Sequence, residues 1–323
     1  MRVAAIDCGT NSIRLLIADV ATGGHGRERE TPILTDVLRE MRVVRLGQGV
    51  DATGMLADEA LERTFAATED YAALIRDHSV DRIRFVATSA TRDAGNRDVF
   101  VAGIKDRLGV EPVVVCGAEE AGLSFTGAAS VLPTLKDELV LVVDLGGGST
   151  EFVVGNADGV QAAISTDMGC VRFTERYLLS DPPTATEIAA AEAAVEAKLV
   201  DVLAVVPLAA VTRVVGVAGT VTTITAQALA LASYDSEAIH AAVVPLQDMD
   251  KAAGELLGMS RAERASLGFM HPGRVDVIGA GSLIWRTVLR RLAVLTQGRL
   301  ESATASEHDI LDGIALGAAG RLD

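Results

Sequence analysis

Apolar residues in this chain come in short runs that stop at a carboxylate. Ala5-Ile6 stops at Asp7 and Val142-Val143 stops at Asp144; each is followed by a polar, glycine-bearing turn and a second apolar run. Ala5 to Asp19 aligns with Val142 to Asn156 at one constant offset, which also pairs Gly9 with Gly146 and Ser12 with Ser149. A buried strand, a tight turn and a second strand make a β-hairpin with the turn chemistry at its tip. Its recurrence predicts two similarly built halves.

Between and after the hairpins the period switches. Strands are expected at Ile83 to Ala87, Pro112 to Val115, Leu139 to Asp144 and Val211 to Val217. Helices are expected at Leu56 to Ile75 (apolar at Leu61, Phe65, Ala72 and Ile75) and at Asn96 to Leu108, with Asn96 as cap. Further helices are expected from Thr186 to Val202, over most of Arg274 to Leu295 with Trp285 in the core, and from Ser306 to Ala319. Turn-rich breaks fall at Ala21 to Gly26, Ser180 to Pro183 and Gln297 to Arg299. Alternating strands and helices with duplicated hairpins predict an α/β fold of two lobes around a cleft.

Composition narrows the class. The 323 residues suit about two domains, and 49% hydrophobic content excludes a disordered chain. Aromatics are only 3%, so aliphatic side chains must fill the core. No apolar run reaches a membrane span, and Asp7 interrupts what would be the apolar part of a signal peptide; a soluble, cytoplasmic protein is expected. The three cysteines, Cys8, Cys116 and Cys170, show neither disulfide nor zinc spacing. A net charge of −15 argues against nucleic-acid binding, which needs a basic stripe. It does not exclude a small polyanion held by backbone N–H groups, a metal and a few arginines.

The sharpest chemical signal is Asp144-Leu145-Gly146-Gly147-Gly148-Ser149-Thr150-Glu151. Consecutive glycines clear side chains from the backbone, so that N–H groups can converge on an anion. Asp144 stands where a carboxylate would hold Mg²⁺ or its water, and Ser149 adds a hydroxyl. A glycine run can simply make a tight turn; recurrence of the Asp and Ser in Asp7, Gly9, Thr10, Asn11 and Ser12 favours function. Within that sister loop Cys8 reads as a packed side chain. Gly219 and Thr220 end a strand and open a helix, a third place for anion donors. Gly279-Ala280-Gly281-Ser282 reads instead as helix packing. Arg92 follows a strand end, the ligand edge of an α/β sheet. Glu119 and Glu120 open a helix after another strand, and either could be the base that deprotonates an attacking water. The five histidines lie far apart in sequence without metal spacing, and neither a phosphate-loop NTPase motif nor a nucleophile elbow occurs.

These segments, with Met168-Gly169-Cys170-Val171-Arg172 and Ser306-Glu307-x-x-Ile310-x-x-Gly313, occur in an order that resembles the exopolyphosphatase and guanosine pentaphosphate phosphatase (Ppx/GppA) family of the actin-like ATPase superfamily. The resemblance implies two ribonuclease-H-like lobes with an interdomain cleft, divided as 1–126 with a returning 306–323, and 127–305. It also implies Glu120 as the catalytic carboxylate, Arg92 on the phosphate chain, and Asp144 and Glu151 at Mg²⁺. The implied reaction removes a terminal phosphate from inorganic polyphosphate or from guanosine pentaphosphate (pppGpp). An ATP-dependent kinase or ATPase of the superfamily, and a non-catalytic sensor, are rival readings. Many members carry helical C-terminal domains of the HD type; with the sequence ending at Asp323, short or moderate polyphosphate chains are expected. Family habit adds a homodimer.

Overall fold

The computed structural model describes residues 1–21, 33–128, 132 and 138–320. The chain divides into two units, Met1–Gly127 with Ile310–Asp323, and Ala128–Asp309.

In the first unit β1 (Arg2–Cys8), β2 (Ser12–Ala21) and β3 (Ile33–Val43) form an antiparallel meander. β4 (Arg82–Ala87) pairs parallel to β1, and β5 (Val113–Val114) parallel to β4, giving the order β3-β2-β1-β4-β5. A central strand with both faces covered is apolar along most of its length, and Val3 to Cys8 are all buried, Asp7 being the one charged residue among them. Its alternate residues serve two cores. Ala4, Ile6 and Cys8 join Ile13 and Leu15 over the helix Asp58–Asp77. Val3 and Ala5 join Leu16 and Ala18 over the returning helix Ile310–Ala318. On that helix the buried Asp312 accepts from Arg39 of β3 at 2.7 Å.

The second unit repeats the scheme. β6 (Val140–Leu145), β7 (Thr150–Asn156) and β8 (Gly159–Thr166) form a meander, and β9 (Arg213–Val217) runs parallel to β6. β10 (Val243–Pro245) is an antiparallel edge on β11 (Ser302–Ala305), which lies parallel to β9. The order β10-β11-β9-β6-β7-β8 therefore contains the five-strand pattern of the first sheet plus one edge strand. The chain holds one ribonuclease-H-like sheet twice, as the duplicated hairpins predict.

Helix boundaries follow local chemistry. The long alanine-rich helix spans Ala185–Val205 because Thr184 and Glu187 form a reciprocal capping box; hydrogen bonds to the Glu187 carboxylate, first from the Thr184 backbone N–H and then from the Thr184 hydroxyl and Ser180, hold that carboxyl down at about 2. The helix Ile278–Leu295 buries Trp285 completely, as expected. Two expectations are corrected. Asn96 stands at the N-cap position of the helix Arg97–Leu108, as expected, but its side chain makes no capping bond; its amide is stapled to both backbone groups of Leu56, at 2.8 and 2.9 Å. The final helix begins at Ile310 rather than Ser306, because the Ser306 hydroxyl accepts from His308 N–H (3.0 Å) and folds that stretch into a turn. The break expected at Ala21 to Gly26 lies, beyond Ala21, outside the described residues. No helix among the described residues is long and apolar enough to cross a membrane.

Candidate active site

Parallel strands bring their carboxyl ends to one sheet edge, so the topology collects the expected residues within each unit. In the first unit this edge carries the loop after β1, the segment Thr88–Asp93 after β4, and the helix Gly117–Gly127 after β5. In the second it carries the loop after β6 and the turn from β9 into the helix Ala218–Ala228.

The two hairpin loops close alike. Gly9 N–H donates to the Ser12 carbonyl, and Gly146 N–H to the Ser149 carbonyl, both at 3.0 Å. In each, other backbone groups hold the loop carbonyls from behind. Thr10 O accepts from Gly47 at 2.8 Å, and Asn11 O from Val44 and Arg45 at 3.1 and 2.8 Å. Gly146 O accepts from Cys170 at 3.0 Å, and Gly147 O from Val171 and Arg172 at 2.9 and 3.2 Å. In a planar trans peptide the N–H points opposite its C=O. The N–H groups of Asn11 and Ser12, and of Gly147 and Gly148, therefore point away from the segments that brace their carbonyls. Backbone donors left facing outward in this way are the kind of group that can receive an anion. The Thr10 hydroxyl bonds that of Ser89 at 2.9 Å, which ties this loop to the segment after β4.

At the foot of each loop the register sets one charged row. Asp7 is directly opposite Arg14, which binds its Oδ2 through Nε and Nη2 at 3.0 and 2.6 Å. Asp144 is opposite Glu151, and Glu151 opposite Ser165, whose hydroxyl donates to Glu151 Oε1 at 2.7 Å. Asp144 and Glu151 are only 6% and 1% exposed. Opposed like charges destabilise a strand pair, the more so when buried, and a hard cation with oxygen ligands relieves them. The pair thus fits Mg²⁺, which typically takes one or two carboxylates and keeps water as its remaining ligands. No group of three or more His, Cys, Asp or Glu that could hold a metal occurs among the described residues.

The two glutamates that sequence reasoning left open occupy different surroundings. Glu119 is exposed and lies 3.6 Å from Arg84. Glu120 is buried on the first turn of its helix, and its Oε2 accepts from Arg92 Nη1 at 2.9 Å. The same Nη1 donates to the Val115 carbonyl at 3.0 Å, so one guanidinium joins the end of β5 to the carboxylate.

Gly219 and Thr220 form the expected strand-to-helix turn, and Ala218 before them adopts φ +69°, a left-handed conformation unusual for alanine. Sequence reasoning missed Arg274. Its guanidinium occupies the space a Cβ on Gly219 would need, 2.2 Å from it, and donates to the Thr223 hydroxyl at 3.2 Å. The gap between Arg274 and Gly219 along the chain carried no local signal. Gly279 to Ser282 lie buried in a helix, as the packing reading expects, and Gly281 abuts Thr220. Cys8 is fully packed; burial, then the Asp7 charge, pushes its thiol well above the ordinary range. Burial likewise raises Cys170 to about 11. His240 and His308, distant in sequence, have ring centroids 4.4 Å apart.

Twin ribonuclease-H-like sheets, each with an acidic, glycine-tipped hairpin at its carboxyl edge, define a duplicated α/β protein. The Ppx/GppA phosphatase family model matches residues 17–317, and the chain belongs to that family. It is 52% identical to Exopolyphosphatase 2 of Mycobacterium tuberculosis, over 99% of both chains. Among solved structures it is similar to an exopolyphosphatase-like protein (45% identity, TM-score 0.90, 98% of each chain covered). It is also similar to the Aquifex aeolicus Ppx/GppA family member (29% identity, TM-score 0.76, 99% of this chain and 97% of the other).

Proposed function

We propose that this protein is a Mg²⁺-dependent exopolyphosphatase that hydrolyses the terminal phosphate of inorganic polyphosphate. The observation that carries the reading is the buried Asp144–Glu151 pair at the foot of a glycine loop whose amides face outward. The substrate class comes from the full-length likeness to a relative named Exopolyphosphatase 2.

In this reading Asp144 and Glu151 hold Mg²⁺, which when bound supplies positive charge against the phosphoryl oxygens. The amides of Gly147, Gly148 and Ser149, with the Ser149 hydroxyl and the Gly146 turn, receive phosphoryl oxygens. Gly9, Thr10, Asn11 and Ser12 do the same in the first unit, below them Asp7 charge-balanced by Arg14. Gly219 and Thr220, with Arg274 beside them, form a further phosphate contact. Glu120, oriented by Arg92, accepts a proton from the attacking water as its oxygen bonds to the terminal phosphorus. The bridging P–O bond breaks, and the shortened polyphosphate leaves with the bonding electrons. Little covalent chemistry falls to the protein; the rate comes from positioning and fixed charge.

The test is phosphate release from short polyphosphate, long polyphosphate, pppGpp and ATP, each with and without Mg²⁺. Mg²⁺-dependent release selective for polyphosphate is expected. Selectivity for pppGpp or ATP, or binding of polyphosphate without release, would overturn the assignment.

A further inference from the structure

The two hairpin loops differ in how one carbonyl is braced. In the first unit the Asn11 carbonyl takes two backbone donors, Val44 N–H and Arg45 N–H. The matching residue of the second unit is Gly148, and its carbonyl is bound by a side chain: Arg172 Nε donates to it at 2.8 Å. Arg172 comes from the first turn of the helix Cys170–Tyr177, whose own amides brace Gly146 and Gly147. That turn reaches the loop because Gly169 lacks a side chain; a Cβ there would sit 2.3 Å from the Gly147 oxygen.

We infer that Arg172 is a positioning residue that fixes the Gly148–Ser149 peptide, and so aims the Ser149 N–H at a phosphoryl oxygen of the substrate. A peptide whose amino side is Gly148, itself preceded by two glycines, has no side chain on that side to bias its rotation, since glycine enters left- and right-handed conformations with similar ease. The carbonyls of Gly146 and Gly147 are held by backbone, which no single side-chain substitution removes. The Gly148 carbonyl is held through a side chain. A hydrogen bond from a charged donor is worth about a factor of ten or more in an equilibrium, enough to keep one peptide orientation dominant. The inference rests on the polyphosphate reading for the identity of the bound group, but not for the orientation of the peptide.

The test uses the full chain with Arg172→Met and Arg172→Lys, and Arg172→Gln should the methionine variant fold poorly. Tripolyphosphate binding, measured calorimetrically with Mg²⁺, is expected to weaken about tenfold in Arg172→Met and to recover in part in Arg172→Lys, with kcat nearly unchanged. The Ser149 amide resonance, recorded without ligand, is expected to shift or broaden in Arg172→Met as the peptide samples two orientations. An unmoved Ser149 resonance with undiminished tripolyphosphate affinity in a folded variant overturns the inference. So does a loss of affinity matched in Arg172→Lys and explained by lowered thermal stability. If the unaltered protein neither binds nor hydrolyses tripolyphosphate, the substrate reading fails, and the Ser149 resonance still decides on the clamp.

Discussion

Arg14 and Glu151 occupy the same place in their respective hairpins and carry opposite charge. Each stands directly across the strand pair from an aspartate, Arg14 from Asp7 and Glu151 from Asp144. One duplicated frame therefore supplies a neutralised carboxylate in the first unit and a doubled one in the second. In the proposed reading it is the second that holds Mg²⁺.

Glu151→Gln keeps the shape and removes one of the two opposed charges. Mg²⁺ affinity, measured by calorimetric titration, is expected to fall at least about tenfold. The metal-free protein should melt no lower than the unaltered one, because the like-charge opposition is relieved. Undiminished Mg²⁺ affinity would remove Glu151 from the metal site.

Glu120→Gln leaves a neutral amide where the reading needs a proton acceptor. Steady-state kinetics on polyphosphate should show kcat lowered about 10²–10⁴-fold with KM little changed. Glu119→Gln, at the exposed neighbour, should leave both constants near their original values. Equal losses in the two variants would place the base elsewhere.

Gly169→Ala introduces a methyl group against the Gly147 carbonyl. Backbone must move to admit it, at a cost of about 1–3 kcal/mol. Thermal melts should show a lower Tm, and polyphosphate KM should rise because the braced loop shifts. A variant with native Tm and native KM would show that the close approach is dispensable.

The capping box of the helix Ala185–Val205 gives an acid limb to stability. Glu187 titrates at about 2 when folded, against an ordinary value of 4.5, so its contribution is complete above 4.5 and drains away as pH falls toward 2. In Glu187→Gln, Tm measured from pH 5 downward should decline less steeply than in the unaltered protein. Parallel curves would mean that the box does not couple to global unfolding.

Much of this was legible in the sequence because the repeated hairpin is local: strand, turn and strand lie within a single short stretch, and the offset between copies is constant. The carboxylate row was half legible. Asp144 and Glu151 are both visible, but their opposition follows from the register of β6 on β7, which depends on the turn between them. Arg274 was not legible, since its place beside Gly219 comes from the return of a distant segment. The brace under the glycine loop was only hinted at: Met168 to Arg172 stood out as a matching segment, but its role needed the distances. Asn96 misled because a residue with good capping chemistry found a better partner in Leu56, forty residues earlier in the chain. Glu120 was separated from Glu119 by burial and by Arg92, neither of which periodicity reports.

The helix Ile310–Ala318 covers a face of the first sheet that β1 helps to build. During synthesis, Val3, Ala5 and Leu16 emerge from the ribosome long before Ile310, Leu311 and Ile314. The opening strands must wait with one apolar face uncovered while the entire second unit is translated. The order of manufacture is thus the reverse of the order of completion: the inner, inserted unit can finish first, and the lobe that holds the N-terminus closes last.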